Sequence, residues 1–181
     1  DDVAHMKSEI GLLYYNDFNR PVLEKLIHTN ELTFTELFTA HPHIFIGKNH
    51  PLANKDVVSM DELEEYPYIS FEQGDHNSFY FSEEIFSTVV RPKHIRVRDR
   101  ASLFSLLLGL DGYTVSSGVI DEEVNGENII SVPLAEEGLM HIGYITNNKM
   151  HRSRLGQEYI HALEQYVGNY GRHIQLPETN E

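Results

Sequence analysis

Cysteine is absent from the 181 residues, which excludes disulfides, thiolate metal sites and a cysteine nucleophile. That absence fits a reducing, cytoplasmic setting. Cations are scarce: 14 Lys plus Arg against 28 Asp plus Glu leave a net charge of −14. No Lys/Arg-rich run interrupts the acidic excess, so direct nucleic-acid binding by this segment is not expected. No apolar run approaches the roughly eighteen residues of a bilayer-spanning helix. A charged-then-apolar leader is missing at the N-terminus, and no secretory signal is expected there. The short motifs of several enzyme classes are missing as well. There is no HExxH, no GxxxxGK[ST] or GxGxxG phosphate loop, and Ser116-Ser117-Gly118 is not a GxSxG elbow. The expectation is a protein that is not an enzyme.

What is present describes a globular chain, with 40% hydrophobic and 23% charged residues. The length allows one large domain or two small lobes, each with a core. Eleven histidines invite a metal reading, and His41, His43 and His50 are the closest grouping. No carboxylate recurs at ligand spacing, so they read as solvated loop residues, with no metal and no cofactor expected.

Strands alternate with helices along the chain. Ile10–Tyr15 is a continuous apolar run, the pattern of a strand buried on both faces. Asn19 and Pro21 open a helix through His28. Leu32–Phe38 and His43–Gly47 read as strands. Ser59 with Glu62 forms a capping box before a helical turn, Met60–Glu65. Tyr68–Phe71 is a strand, and a helix is expected over Ser78–Val90. Its apolar residues Phe79, Phe81, Ile85 and Phe86 are core or a subunit contact. Ile95–Arg98 is a strand. Asp99 caps a helix through Leu108 that is apolar nearly all round and should be buried. Tyr113–Ser116, Ile129–Val132 and His141–Ile145 are further strands, Ser153–Val167 is the last helix, and the tail past Gly171 reads as loose. The alternation predicts an α/β fold with largely parallel sheet. The first strand begins about nine residues in, with nothing before it to cover it, and the expectation is that something precedes it.

Three stretches carry a family resemblance. Glu9–Leu12 resembles a "D-L-G-I" strand, His43–Ala53 a strand leading into an "H-P-L-A" turn, and Val58–Ile69 an "I-x-x-x-D-L-x-x-x-P-x-I" segment. Joined in that order and spacing, they resemble the effector-binding domain of LysR-type transcriptional regulators. The resemblance covers nearly the whole chain, apart from the tail after Gly171. It implies a two-lobed fold similar to periplasmic solute-binding proteins, with mixed, largely parallel sheets joined by two crossover strands. Lobe one would comprise residues 1–46 and 142–181, incomplete at its start, and lobe two residues 47–141. Phe45–Ile46 and Tyr144–Ile145 would lie near the crossovers. The winged helix-turn-helix and the first strand–helix–strand of the family would precede Asp1. One departure stands out: the family's "A-G-x-G-I-x-x-x-P" is here Leu108 to Gly118, with one extra residue and Ser116-Ser117-Gly118 at the proline position.

The function implied is ligand sensing: a small-molecule effector held between the lobes, its binding relayed to DNA through the N-terminal domain. Dimers or tetramers are implied as well, with Phe79, Phe81, Ile85 and Phe86 as contact candidates. Arg98, Asp99 and Ser102 lie where a strand ends and a helix begins, so a guanidinium and free amides could converge on an anionic group. The plain alternative is that Arg98 and Arg100 are solvated cations and Asp99 only a cap. Phe71, Gln73, Gly74 and Asp75 form a second candidate segment, and Tyr15, Asn16, Thr146 and Ser116 complete the expected ligand set. Arg98 favours a small organic anion, while the net charge runs against one. A solute-binding protein of a transport system is the rival reading and would share the cleft.

Overall fold

Residues 1–72, 79–82, 84–121 and 125–170 are described by the computed structural model. The order begins with β1 (Ile10–Tyr15), α1 (Arg20–Thr29), β2 (Leu32–Ala40) and β3 (His43–Gly47). A 3-10 turn at Asp61–Leu63, β4 (Tyr68–Phe71), a second 3-10 turn at Phe79–Phe81, β5 (His94–Val97) and α2 (Arg100–Gly109) follow. Then come β6 (Thr114–Ser116), β7 (Ile129–Pro133), β8 (Met140–Asn147) and α3 (Arg154–Tyr170). The chain divides into two compact units, Asp1–Thr39 with the segment from His141 onward, and Ala40–Met140.

In the first unit the sheet order is β1-β8-β2. β1 runs antiparallel to β8, from Ile10 opposite Thr146 to Tyr15 opposite His141. β1 is an edge of this sheet and Leu12 is 55% exposed, so the strand is not buried on both faces as its apolar run suggested. The turn into α1 is closed by two asparagines. Asn16 Oδ1 accepts from the N–H groups of Phe18 and Asn19, and Asn19 Oδ1 accepts from Asn16 N–H at 2.8 Å. Pro21 sits in the first turn of the helix, where a missing N–H costs nothing. At Gly143 the backbone of β2 comes so close that a Cβ would lie 2.2 Å from the Thr35 carbonyl oxygen. The apolar stripe of α3 is only partly covered: Ile160 is buried, but Leu155 and Tyr159 are exposed.

The second unit is built around β3. It pairs antiparallel with β6 on one side and β7 on the other, and Ile44 and Ile46 are wholly buried. Because both partners lie in this unit, β3 belongs to it rather than to the end of the first lobe. β4 and β5 form a parallel pair. The sheets are mixed, as expected, but among the ladders just described parallel pairing is confined to β4–β5. Parallel strands need a crossover between them, and β3 meets partners that reach it from the opposite direction.

Asp99 follows β5 and caps α2, its Oδ1 accepting from Ser102 N–H at 2.8 Å. Leu103 and Leu107 of α2 pack with Phe45, Ile69, Val97 and Ile129 into one buried cluster. The helix is not buried all round, since Leu108 and Leu110 are about half exposed. The capping box at Ser59 is half formed: Glu62 Oε2 accepts from Ser59 N–H at 3.1 Å, and the turn is a short 3-10 segment.

Among the described residues of 78–90 there is no α-helix. Phe79–Phe81 is a 3-10 turn and the described residues beyond it form bends and turns, with Phe86 at φ 61°. Thr88-Val89-Val90 is a β-branched run, which disfavours helix even though Phe81, Ile85 and Val89 recur every four residues. Side chains take over the holding: Glu84 Oε1 accepts from Phe71 N–H at 2.8 Å, and Arg91 Nη1 donates to the carbonyls of Phe86 and Val89. Ile85 is 2% exposed and belongs to the core, which removes it as a subunit contact. Phe86 is half-buried and packs beside Pro42 at Gly138. Phe81 stays exposed, and the Phe79 side chain lies outside the described residues.

Candidate functional site

Three elements of the second unit surround a pocket of about 330 Å³. β4 contributes Phe71, β6 contributes Thr114, Val115 and Ser116, and the first turns of α2 contribute Arg100, Leu103 and Phe104. Phe45 of β3, Glu84 and Val119 complete it. The volume is at the small end of the range for small-molecule sites, which are apolar with a few placed polar groups. Aromatic and aliphatic side chains dominate this lining. The hydroxyls of Thr114 and Ser116, one guanidinium and one carboxylate supply the polarity.

The two charges are held differently. Glu84 is 4% exposed, its Oε1 taken by Phe71 N–H and its Oε2 accepting from Ser82 Oγ at 3.1 Å. That carboxylate ties its loop to β4. Arg100 is exposed, and its guanidinium lies 5.0 Å from the Phe104 ring centroid, within cation–π range. No described carboxylate lies within ion-pair distance of it. Arg100 is therefore the pocket's uncommitted charge.

The expected site residues divide sharply. Phe71 and Ser116 line the pocket. Arg98, Asp99 and Ser102 do not. Arg98 has an 84% exposed side chain and pairs with Glu72, donating from both Nε and Nη2. The hydrogen bond from Arg98 holds the Glu72 carboxyl below its usual range. Asp99 and Ser102 satisfy one another through the cap, with Ser102 Oγ donating to Asp99 Oδ2 at 2.7 Å. The backbone N–H of Ser102 holds the Asp99 carboxyl below its usual value. These contacts are those of the plain alternative for this segment, an exposed cation and a cap. The strand period shows why: His94, Arg96 and Arg98 fall on the same exposed face of β5 and its extension. One residue past the cap, helical spacing places Arg100 with Leu103 and Phe104, a signal the sequence carried.

Tyr15, Asn16 and Thr146 lie in the first unit. Tyr15 stacks on the His141 ring at 5.1 Å, and Arg20 lies 4.6 Å over its face. Asn16 is spent on the turn before α1. Thr146 pairs with Ile10, five positions along the ladder from Tyr15, about 16 Å away at the strand rise. The three do not converge on one spot. Gln73, Gly74 and Asp75 lie outside the described residues.

His43 and His50 are not solvated loop residues. His50 is 3% exposed; its Nδ1 accepts from Leu52 N–H at 3.0 Å, and its Nε2 faces the Asp111 carbonyl at 3.0 Å. This pattern fits a neutral imidazole protonated on Nε2. His43 is half-buried and lies against Gly118, where a Cβ would come within 2.7 Å of its ring and where φ is 83°. Gly118, at the family's departure point, is thus fixed by both space and backbone. Among the described residues no cluster of His, Asp and Glu stands at metal-ligand spacing.

Two units, mixed sheets and a polar-rimmed pocket define an α/β binding domain. The family model of the LysR substrate binding domain matches residues 19–168, and the chain belongs to that family. Solved structures share its fold. HinK, a LysR family transcriptional regulator from Pseudomonas aeruginosa, matches with a TM-score of 0.59 at 14% identity, over 93% of this chain and 56% of its own. The chain thus spans little more than half of HinK's length. The effector binding domain of QuiR in complex with shikimate gives 0.57 at 17% identity over 97% of this chain and 77% of its own. The BenM effector binding domain with benzoate gives 0.56 at 17% identity, over 99% and 78%. None of the curated proteins matches the chain. No helix among the described residues is long and apolar enough to cross a membrane.

Proposed function

We propose that this chain senses a small organic anion as the effector of a LysR-type regulator, and that the pocket beside α2 receives it. The observation that carries this reading is Arg100, a guanidinium without a carboxylate partner among the described residues, at the rim of an aromatic-walled cavity. A flat ring would lie against Phe71 and Phe104, its anionic group on Arg100 and its hydroxyls near Thr114 and Ser116. A guanidinium presents a planar fork of donors suited to a carboxylate. The family neighbours lend support, since QuiR and BenM are described with shikimate and benzoate, both cyclic carboxylates. Net charge, which ran against an anion, counts less than the local field, since among the described residues the uncommitted charge in the pocket is positive.

The wider role follows from the family: effector binding differs between two arrangements of the lobes, and the difference passes to a DNA-binding domain of the full-length protein. The lobes of that scheme remain 1–46 with 142–181, and 47–141, adjusted so that β3 joins the second. A cytoplasmic location and assembly as a dimer or tetramer belong to the same reading, with exposed Phe81 the remaining contact candidate. The test is a thermal-shift and calorimetric screen of aromatic and cyclic carboxylates against their neutral amides. Carboxylates should stabilise the domain by about 2.7 kcal/mol at a hundredfold excess over Kd. Arg100→Gln should weaken binding at least tenfold, and Arg98→Gln should not. Stabilisation by neutral amides alone, or unchanged binding in Arg100→Gln, overturns the proposal.

A further inference from the structure

The wall of the pocket beside α2 holds one side chain that packing does not explain. Thr114 of β6 stands directly opposite Phe45 of β3, so the two share a face of the sheet. Phe45 packs there with Leu103 and Leu107 of α2. Thr114 is 5% exposed in these apolar surroundings, the setting of a valine. Valine has nearly the same shape, so filling space gives no reason for a hydroxyl.

A buried hydroxyl without a partner costs the desolvation of its group. Thr114 Oγ1 has no hydrogen-bond partner among the described residues. Ser131 of β7 flanks Phe45 on its other side, and its Oγ also lacks a partner but is shut off from solvent. Thr114 differs because it lines the cavity and its oxygen is not shut off. Two residues along β6, about 7 Å away on the same face, Ser116 lines the cavity as well. Its hydroxyl is likewise without a described partner. The third polar group of this wall, Glu84, is a carboxylate that already accepts two hydrogen bonds. It suits a ligand that donates and repels one that brings a second negative charge.

We propose that Thr114 makes this pocket selective for hydroxylated ring monocarboxylates over bare ring acids. The inference rests on the effector reading above and narrows its ligand class. Arg100 takes the carboxylate, and the hydroxyl carried by the ring bonds Thr114 Oγ1, with Ser116 as the neighbouring contact. A bare ring leaves the Thr114 hydroxyl desolvated and unpaired. A site built to bond a hydroxyl rejects the analogue lacking it far more strongly than an apolar pocket rejects an added hydroxyl. Thr114 is thus a specificity determinant, while Arg100 supplies affinity common to all such acids.

The intact chain is titrated calorimetrically with benzoate, 3-hydroxybenzoate and 4-hydroxybenzoate, and the ratio of affinities is the readout. At least one hydroxybenzoate should bind roughly tenfold or more tighter than benzoate. Thr114→Val should bring that ratio near unity, and Thr114→Ser, which keeps a hydroxyl, should preserve it. Isophthalate, with a second carboxylate in place of the hydroxyl, should bind no tighter than benzoate. Equal affinity of the three benzoates, an unchanged ratio in folded Thr114→Val, or tighter binding of isophthalate overturns the proposal. If Thr114→Val does not fold, the ratio in Thr114→Ala decides in the same sense. Benzoate binding with no hydroxyl preference sinks this inference alone; no binding by any ring acid sinks the effector reading and this inference with it.

Discussion

Two residues on either side of Asp99 show how finely a side chain's role depends on its place. Arg98 closes the exposed face of a strand and is neutralised by Glu72; Arg100 opens a helix and turns to the pocket. The imidazole environments are equally local. His43, His50 and His94 all have pKa values below the usual 6.5, in each case mainly because burial penalises the charged ring. The unfolded chain takes up protons at these positions as pH falls through 6.5, while the folded chain resists. The unfolded state then binds more protons, so stability is highest above 6.5 and declines below it. The depressed carboxylates Glu62, Glu72 and Asp99 matter only at lower pH, below their own ordinary values of 4.5 and 3.8. The denaturation midpoint should therefore already be lower at about pH 5.5 than at about pH 7.5, before those carboxylates titrate. A flat profile across that interval would contradict the neutral-imidazole assignment.

At the scale of the element, α2 is the piece on which both core and pocket depend. Leu107 has no exposed surface, and truncating it to Ala should cost about 2–5 kcal/mol through lost burial and the cavity left behind. Equilibrium denaturation gives that number directly; a loss under about 1 kcal/mol would mean the core collapses to fill the gap. The elements with strong local signals were legible in the sequence. α2 announced itself through the Asp99 cap and β3 through its apolar run between Pro42 and Lys48. Ser78–Val90 was not legible as it stands, because its backbone is fixed by partners distant in sequence, Phe71 with Glu84 and Tyr113 with Arg91. The pocket was half legible for the same reason. Phe71 and Ser116 follow from their strands, whereas Glu84 enters only through a loop whose path no local pattern specifies.

For the whole molecule, the connectivity of the two units is unequal. Ala40–Met140 is one continuous segment with its own buried cluster, while the first unit joins chain from both sides of it. Bringing β1 and β8 together closes a loop around those 101 residues, an entropic cost of about 4 kcal/mol from (3/2)RT ln n if that segment is unfolded. A folded second unit removes most of that cost. Native-state hydrogen exchange should show the amides of β3 protected longest and those of β1 and β8 opening first. A fragment comprising 40–140 should unfold cooperatively on its own. Equal protection in the two sheets, or an unfolded fragment, would show that the units fold only as one.

Among the described residues Arg100 has no ion-pair partner, and its neighbour Asp99 does the capping. Exchanging such a side chain typically changes stability by less than about 0.5 kcal/mol. On the proposed effector site, chemical selectivity and foldability are carried by adjacent but separate positions. A lineage could trade one signal molecule for another through a single codon, and selection would meet no penalty in the architecture while it did so.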